Sequence, residues 1–593
     1  MDSVVSHWTP RKSAIGLGLV AVVFVALRYL ASPEEPRPQD RPIEESRDGY
    51  ISSEACRACH PSNYASWYGS YHRRMTQAAS PAAVEANFEG VELEVGERRY
   101  RLDRRGNEFW VELGGMEGAP VERRKVVMTT GSHHRQWVWF ATGENRRLGT
   151  IPFLYLIDRQ RWVPRFAAFM LPPDPRWVPS HHEGLWGAGC VSCHTTHGER
   201  RGPTRAEARV VEFGISCESC HGPGDEHVRL NRDPRRRYAL YLSEHSDPTI
   251  VNPTRLAHTR STEICGQCHS ITAAEGAFRP GDDLAAISSG AARKDPLAEA
   301  SRWPDGMIHT GGREYDALID TPCYQRGTMS CLSCHALHRS ADDPRSMKEW
   351  ANHQLMPRMD SDHACGQCHE ISLEQHTHHA PESSGSRCYN CHTPYTSYAL
   401  LKAIRNHQVR APTVTESVET GRPNACNLCH LDRSLGWTAD RLAEWYSTPR
   451  PTLTEDQETI AASVLWAMTG HAGQRALIGW HMGWKPAQEA SGTGWLAPFL
   501  TLLLNDPYPA VRIIAYRSLA DLPGFEAFAF DYVAAPAERE AAVRNAVEIW
   551  RKELAGHSET GEAILIHPNG SLRQEDFIRL VGVRDDRPIY WIE

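Results

Sequence analysis

Apolar and polar residues alternate along the chain between about residues 88 and 169. The alternation is clearest in VELEV at 91–95 and FWVEL at 109–113, with the turn-forming Arg105-Gly-Asn between them. A period of two places successive side chains on opposite faces of a sheet. This stretch therefore predicts a β-rich insertion of several antiparallel strands.

A different periodicity begins near residue 439. Apolar residues recur there at helical spacing, for example at Leu496, Phe499, Leu500 and Leu503, which predicts amphipathic helices. The segment LNDPYPAVRIIA, which starts at Leu504, resembles the junction of a HEAT-type repeat. We expect an α-helical, HEAT-like domain at 439–560 and a small C-terminal cap at 561–593.

The N-terminus carries an apolar run from Ala14 to Leu27, preceded by Arg11 and Lys12. Such a run suits either a signal-peptide core or an anchor whose Arg28 reaches the membrane interface. Because the cleavage site near residue 31 is poor, we favour an uncleaved signal anchor at residues 1–31. Both alternatives predict export, to the periplasmic side of the inner membrane or as a soluble protein. Residues 32–48, rich in proline and charge, predict a linker.

Composition narrows the functional classes. The 593 residues are 41% hydrophobic and 9% aromatic, and their formal net charge is −8. These values are typical of a folded protein and not of a disordered one. Basic residues form no concentrated tail, so the sequence offers no support for nucleic-acid binding.

Between residues 49 and 438 one motif repeats eight times: two cysteines separated by two residues, followed by a histidine. Cys-x-x-Cys-His is the attachment motif of c-type haem, in which the thiols bind the porphyrin and the histidine binds the iron. The motif cysteines are Cys56, Cys59, Cys190, Cys193, Cys217, Cys220, Cys265, Cys268, Cys331, Cys334, Cys365, Cys368, Cys388, Cys391, Cys426 and Cys429. The proximal histidines are His60, His194, His221, His269, His335, His369, His392 and His430.

Other uses of paired cysteines do not fit. Zinc sites do not need a histidine after every pair, a thioredoxin-like motif would occur once, and disulfide frameworks do not fix this spacing. The motifs use 16 of the 17 cysteines and leave Cys323, for which a buried, inert role is favoured. We therefore predict eight covalently bound haem c groups, with short helices and loops around stacked haems. The fold class is a multihaem cytochrome c with a β-rich insertion and the helical C-terminal domain.

The second axial ligand of each iron decides whether that iron is closed or can bind substrate. Between Tyr50 and Leu435 there are 17 histidines besides the proximal ones. His338 lies three residues after His335, on the same side of a helix, and two ligands of one iron must lie on opposite porphyrin faces. We therefore expect His338 to ligate a different haem. His197 and His227, which also follow motifs closely, are candidate distal ligands on the same reasoning.

Six segments in and between the motifs are distinctive: TGSHHRQW, GISCESCHGPGDEHV, WPDGMIHTGGREYDAL, PCYQRGTMSCLSCH, HTHHAPESSGSRCYNCH and GRPNACNLCH. They resemble the superfamily that includes cytochrome c nitrite reductase, hydroxylamine oxidoreductase and its tetrahaem electron acceptor. The resemblance implies exported, closely stacked, mostly bis-histidine haems. It also implies distal ligands at His72, His134, His197, His227, His338, His378 and His407, with His379 as the alternative to His378. His363 is chosen as the eighth.

Two departures from the superfamily bear on function. Its nitrite reductases carry lysine in place of one motif histidine, whereas all eight motifs here keep histidine. Its hydroxylamine oxidoreductases crosslink a tyrosine to the active haem, and nothing in the sequence selects Tyr315 or Tyr324 for that role. We expect an electron-transfer protein between a quinol-linked membrane partner and a downstream carrier or reductase. The alternative is an oxidoreductase that acts on a small nitrogen or sulfur compound at one open-coordinate haem.

Overall fold

The protein is described by a computed structural model. The structure describes residues 40–114, 121–143, 146–172, 182–183, 186–201, 207–243, 245–271, 278–287, 299–557, 561–567 and 569–591. The predicted signal anchor lies outside the described residues. None of the helices in the described part combines the length and apolar character that a membrane crossing requires.

The structure contains the β-rich region that the alternation predicts. It is a ten-stranded sheet in which the neighbours along the main path are antiparallel. Its strands are Thr76–Ala78, Glu89–Val95, Arg98–Arg105, Glu108–Leu113, Glu122–Thr130, Arg135–Ala141, Leu148–Thr150, Phe153–Leu156, Arg161–Pro164 and His182–Glu183.

The sheet separates two apolar clusters, as alternating side chains require. One cluster contains Phe88, Leu102 and Val111, and the other contains Trp139 and Val210. The second cluster also includes residues that flank the motif at Cys190, so this side of the sheet supports the second haem-attachment site.

Short helices carry most of the motif-bearing region. Their bounds are Glu54–Arg57, Pro61–Tyr68, Val191–His194, Cys217–His221, Asp225–Leu230, Pro234–Leu242, His258–His269, Leu284–Ile287, Glu314–Ile319, Pro322–Gln325, Met347–His353, His363–Gly366, Leu373–Thr377, Cys388–His392 and Val414–Thr420. Between them lie 3₁₀ turns at Arg73–Met75, Arg165–Ala167, Pro253–Arg255, Cys331–Ser333, Ser384–Ser386 and Cys426–Leu428, and a π turn at Trp186–Cys190. Short strands complete the region at Ile43–Glu44, Thr195–Thr196, Glu199–Arg201, Glu207–Val210, Glu212–Phe213, Ser397–Ala399 and Lys402–Ile404.

The C-terminal part is helical, in agreement with the periodicity. The helices are Leu435–Tyr446, Glu455–Thr459, Ala462–Met468, Ala472–His481, Lys485–Ser491, Ala497–Leu503, Pro509–Ala520, Pro536–His557 and Gln574–Gly582. The HEAT-like arrangement of these helices stays a prediction.

One apolar core joins these helices to the motif-bearing region. It includes Leu428 and Leu431 beside the last motif, together with Phe499 and Ile514 of the helices. Trp591, near the end of the chain, is 3% exposed and belongs to the same core. Because this core is continuous, the helices form a fixed support for the last attachment sites.

Candidate haem-binding sites

A helical turn gives each motif its shape. The backbone N–H of the motif histidine donates to the carbonyl of the first cysteine in several motifs, for example at His60 (2.9 Å), His335 (3.0 Å) and His430 (2.9 Å). This bond places the two cysteines, three residues apart, on one side of the turn. The two thiols can then bind one porphyrin edge while the histidine reaches the iron.

Cysteine thiols of different motifs lie close to one another. The thiols of Cys56 and Cys217 lie close enough to shift each other's pKa, as do those of Cys193 and Cys268, Cys265 and Cys331, and Cys365 and Cys388. Charge–charge effects on the thiol pKa values also connect Cys220 with Cys265, Cys334 with Cys365, and Cys391 with Cys426 and Cys429. The attachment sites therefore follow one another in the order one, three, four, five, six, seven and eight, and site two branches from site four.

The proximal imidazoles are oriented through Nδ1. The Nδ1–H group donates to a backbone carbonyl in three motifs: His221 to Val251 (2.8 Å), His335 to His353 (3.0 Å) and His392 to Arg410 (3.0 Å). A hydrogen bond at Nδ1 leaves the lone pair on Nε2, which is the arrangement that metal-ligating histidines use.

At His269 the partner is a carboxylate. Nδ1 of His269 lies 2.9 Å from Oε2 of Glu314. Burial alone would lower the pKa of His269, but the hydrogen bond and the negative charge of Glu314 raise it to about 9. Burial instead lowers the pKa of His72 and His194 to about 4, which keeps both rings neutral and able to ligate a metal.

Burial also changes the pKa of several cysteine thiols. It raises the pKa of Cys190 and Cys220 to about 12, and that of Cys429 to about 12 as well.

Five proximal histidines face a second imidazole at nearly constant distance. The ring centroids are separated by 6.3 Å for His60 and His227, 6.4 Å for His269 and His72, 6.3 Å for His221 and His338, 6.0 Å for His392 and His376, and 6.0 Å for His430 and His379. Two imidazoles bound through Nε2 to one metal, each at about 2 Å, have centroids roughly 6 Å apart. The residues therefore fit an iron between each pair.

The expected distal ligands divide into two groups. The structure brings His72, His227 and His338 opposite a proximal histidine, and His338 faces His221 and not its neighbour His335. His407 lies within electrostatic range of His335 and lowers the pKa of that ring, after the larger effect of burial.

The other four expected ligands make different contacts. His134 stacks on His133 at 3.8 Å, and His197 stacks on Tyr50 at 4.2 Å. Nε2 of His197 is also 3.0 Å from Oδ2 of Asp48. Among the described residues, the ring contacts of His134 and His197 do not include a proximal histidine.

His363 and His378 contact residues other than proximal histidines. Nη2 of Arg358 lies 3.1 Å from Nε2 of His363, and His378 stacks on Trp445 at 4.6 Å. His379, the alternative to His378, is the ring that faces His430.

His376, which is not among the expected distal ligands, faces His392. The sequence HTHH offers three histidines within four residues, and nothing in their spacing selects among them. The structure separates them because the helix Leu373–Thr377 ends at His378, whose φ of 56° turns the backbone and directs adjacent rings to different sides.

Comparisons with known proteins add a local match. Residues 181–222, which contain the second and third motifs, match the family model described as cytochrome c554 and c-prime. A search of the curated proteins finds no match. The crystal structure of the outer cell wall cytochrome OcwA aligns with a TM-score of 0.43 and 15% identity, over 85% of this chain and 100% of that chain. The family match and the motifs support a multihaem c-type cytochrome with covalently bound haem and a role in electron transfer.

Proposed function

We propose that this chain is an exported octahaem cytochrome that transfers electrons along mostly bis-histidine haems. The electrons would pass between a quinol-linked membrane partner and a downstream carrier or reductase. The observation that carries the proposal is the set of five imidazole pairs with centroids 6.0–6.4 Å apart. Histidine on both sides closes an iron to substrate.

The chain's own residues would hold and insulate the cofactors. The eight cysteine pairs would bind the porphyrins, and the five imidazole pairs would ligate irons. Haem c, when bound, supplies one-electron redox chemistry. The contacts between cysteines of successive motifs support close spacing of neighbouring sites, which suits transfer through the whole chain.

A reductase is the second candidate, and the positive charge near site two favours it. His194 is half-buried, and its Nδ1 is inaccessible to solvent and has no hydrogen-bond partner among the described residues. Its pKa is lowered by burial and, to a smaller extent, by the nearby positive charge of Arg135. An open iron beside a cationic side chain would suit a small oxyanion.

Carbon monoxide titration of the fully reduced holoprotein separates the two candidates. The electron-transfer proposal predicts little change in the Soret band, because closed irons do not bind the gas. Stoichiometric binding at one haem, together with reoxidation of the reduced protein by nitrite or hydroxylamine, would establish the reductase instead. Mass spectrometry of the same sample should give eight haem increments per chain, and six or fewer would contradict the count.

The proposed location is the periplasmic face of the inner membrane, with residues 1–31 retained as the anchor. The support is the apolar run from Ala14 to Leu27 after Arg11 and Lys12. Sequencing the N-terminus of the mature protein tests this proposal. A terminus near Ser32 would replace the anchor with a cleaved signal peptide and leave export intact.

A further inference from the structure

The helix Pro234–Leu242 buries none of its residues. It exposes Tyr238 by 70%, Tyr241 by 87% and Leu242 by 80%. A nine-residue helix is only marginally stable by itself, and soluble proteins seldom leave a cluster of large apolar side chains in water unless it binds something. We call the exposed face formed by these three residues the tyrosine face.

The same helix is tied to an imidazole of site one. Oδ2 of Asp247 lies 3.1 Å from Nδ1 of His227, and Nη2 of Arg236 donates to Oδ1 of Asp247 at 2.8 Å. Asn231 donates to the same carboxylate at 2.8 Å. The ring of His227 faces His60 at 6.3 Å. The helix therefore lies behind His227, on the side away from the metal position.

Helical geometry then fixes the direction of the tyrosine face. Successive residues of an α-helix are about 100° apart, so Tyr238, Tyr241 and Leu242 lie roughly 200°, 140° and 240° around the axis from Arg236. Arg236 points toward Asp247 and His227. The tyrosine face consequently points away from site one and is not a wall of its haem pocket.

The charge around the tyrosine face is opposite to that of the whole protein. Residues 229–242 contain five arginines and one aspartate, whereas the chain has a formal net charge of −8. Arg229 and Arg236 pair with Glu226 and Asp247, and the other three arginines carry the positive charge of the patch. Arg232, Arg235 and Arg237 are exposed. Tyrosine and arginine are among the residues enriched in protein interfaces, and a local basic patch steers an acidic partner into contact.

We infer that the tyrosine face and its arginines form the docking surface for a small acidic redox protein that exchanges electrons at site one. This inference rests on the proposed electron-transfer function and names its partner surface. In the exchange, one electron leaves the donor and one iron of the protein is reduced from ferric to ferrous, with no bond formed or broken. Site one lies at one end of the series of neighbouring attachment sites. An end of such a series is where electrons must enter from, or leave to, a partner protein.

The experiment uses the holoprotein and an acidic flavodoxin as the probe. Titration calorimetry measures binding of oxidised flavodoxin, and stopped-flow absorbance measures reduction by its anionic hydroquinone, which becomes the neutral semiquinone. The patch variant combines Arg232→Gln and Arg235→Gln with Tyr238→Ser, Tyr241→Ser and Leu242→Ser. Arg236 is kept because it holds Asp247.

The matched control makes the same types of change elsewhere. It combines Arg99→Gln and Arg104→Gln in the sheet with Ile578→Ser and Val583→Ser, two residues that are 71% and 66% exposed near the C-terminus. We expect the patch variant to bind flavodoxin at least about tenfold more weakly and to be reduced correspondingly more slowly at low salt. The control should stay within about twofold of the wild type.

Three results would overturn the docking surface. They are unchanged flavodoxin binding in the patch variant, an equal loss in the control, and loss of binding to anionic phospholipid vesicles without any effect on flavodoxin. The last result would identify a membrane as the occupant. Full reduction of every variant by dithionite, with eight intact haems, excludes misfolding. A different result would contradict the proposed electron-transfer function and not the docking surface. In that case the wild-type protein would bind flavodoxin normally, but its electron would reach no more than one haem.

Discussion

Replacing His379 tests which residue of the HTHH segment completes site eight. His379 faces His430 with centroids 6.0 Å apart, and its Nδ1 donates to the carbonyl of Thr377 at 2.6 Å. That hydrogen bond leaves Nε2 available for the metal. We expect His379→Asn to remove one axial ligand and to leave every thioether attachment in place.

The expected size of the change follows from the number of sites. With eight motifs in the chain, loss of one ligand should convert about one eighth of the total haem from low spin to high spin, provided that each iron responds independently. Gly385 offers a second perturbation, since a Cβ at this position would lie 2.2 Å from the His379 ring. Gly385→Ala should displace the ring and reduce the same low-spin signal.

Electron paramagnetic resonance of the oxidised holoprotein measures the two spin states directly. His378→Asn is the matched control, because His378 stacks on Trp445 at 4.6 Å and asparagine tolerates its left-handed backbone. The control should keep the wild-type spectrum. A high-spin signal in His378→Asn together with an unchanged His379→Asn spectrum would refute the geometric reasoning.

Three further predictions concern a ligand, a buried histidine and a buried ion pair. His338→Ala should make the haem at His221 high-spin while all eight haems stay attached; an unchanged spectrum would exclude His338 as its ligand. Burial lowers the pKa of His481 from 6.5 to about 4. Between these two pH values the unfolded chain binds a proton that the folded chain does not. The free energy of unfolding should therefore keep its full value above pH 6.5 and fall by roughly 3 kcal/mol as the pH drops toward 4. His481→Phe should flatten the pH dependence of the unfolding free energy in that window, and an unchanged slope would contradict this assignment. The side chains of Arg475 and Asp506 are each 1% exposed and form an ion pair at 2.6 Å. Arg475→Met leaves a buried carboxylate unpaired and should lower the free energy of unfolding, measured with denaturant, by about 3–5 kcal/mol. A decrease below about 1 kcal/mol would show that water reaches the pair.

Local features of the sequence determine the chemistry of this protein and much of its secondary structure. The spacing of Cys217, Cys220 and His221 is set by covalent attachment and by one helical turn, so it can be recognised without knowing the fold. The β-rich region is predictable for a related reason: the alternation in residues 91–95 and 109–113 reflects a sheet with two packed faces. Helical periodicity likewise identifies the C-terminal helices.

The pairing of imidazoles is decided only by the tertiary structure. The ring of His227 faces that of His60, and the ring of His72 faces that of His269. The members of each pair are far apart in the sequence, so no local pattern predicts the pairing. In the HTHH segment the left-handed backbone at His378 turns His379 toward His430 and leaves His376 to face His392. The motif-bearing helices are short and joined by irregular turns, so their relative orientation depends on long-range packing and not on periodicity. The proximal histidines can therefore be identified from the sequence alone, whereas the packing of distant segments determines which histidine faces each of them.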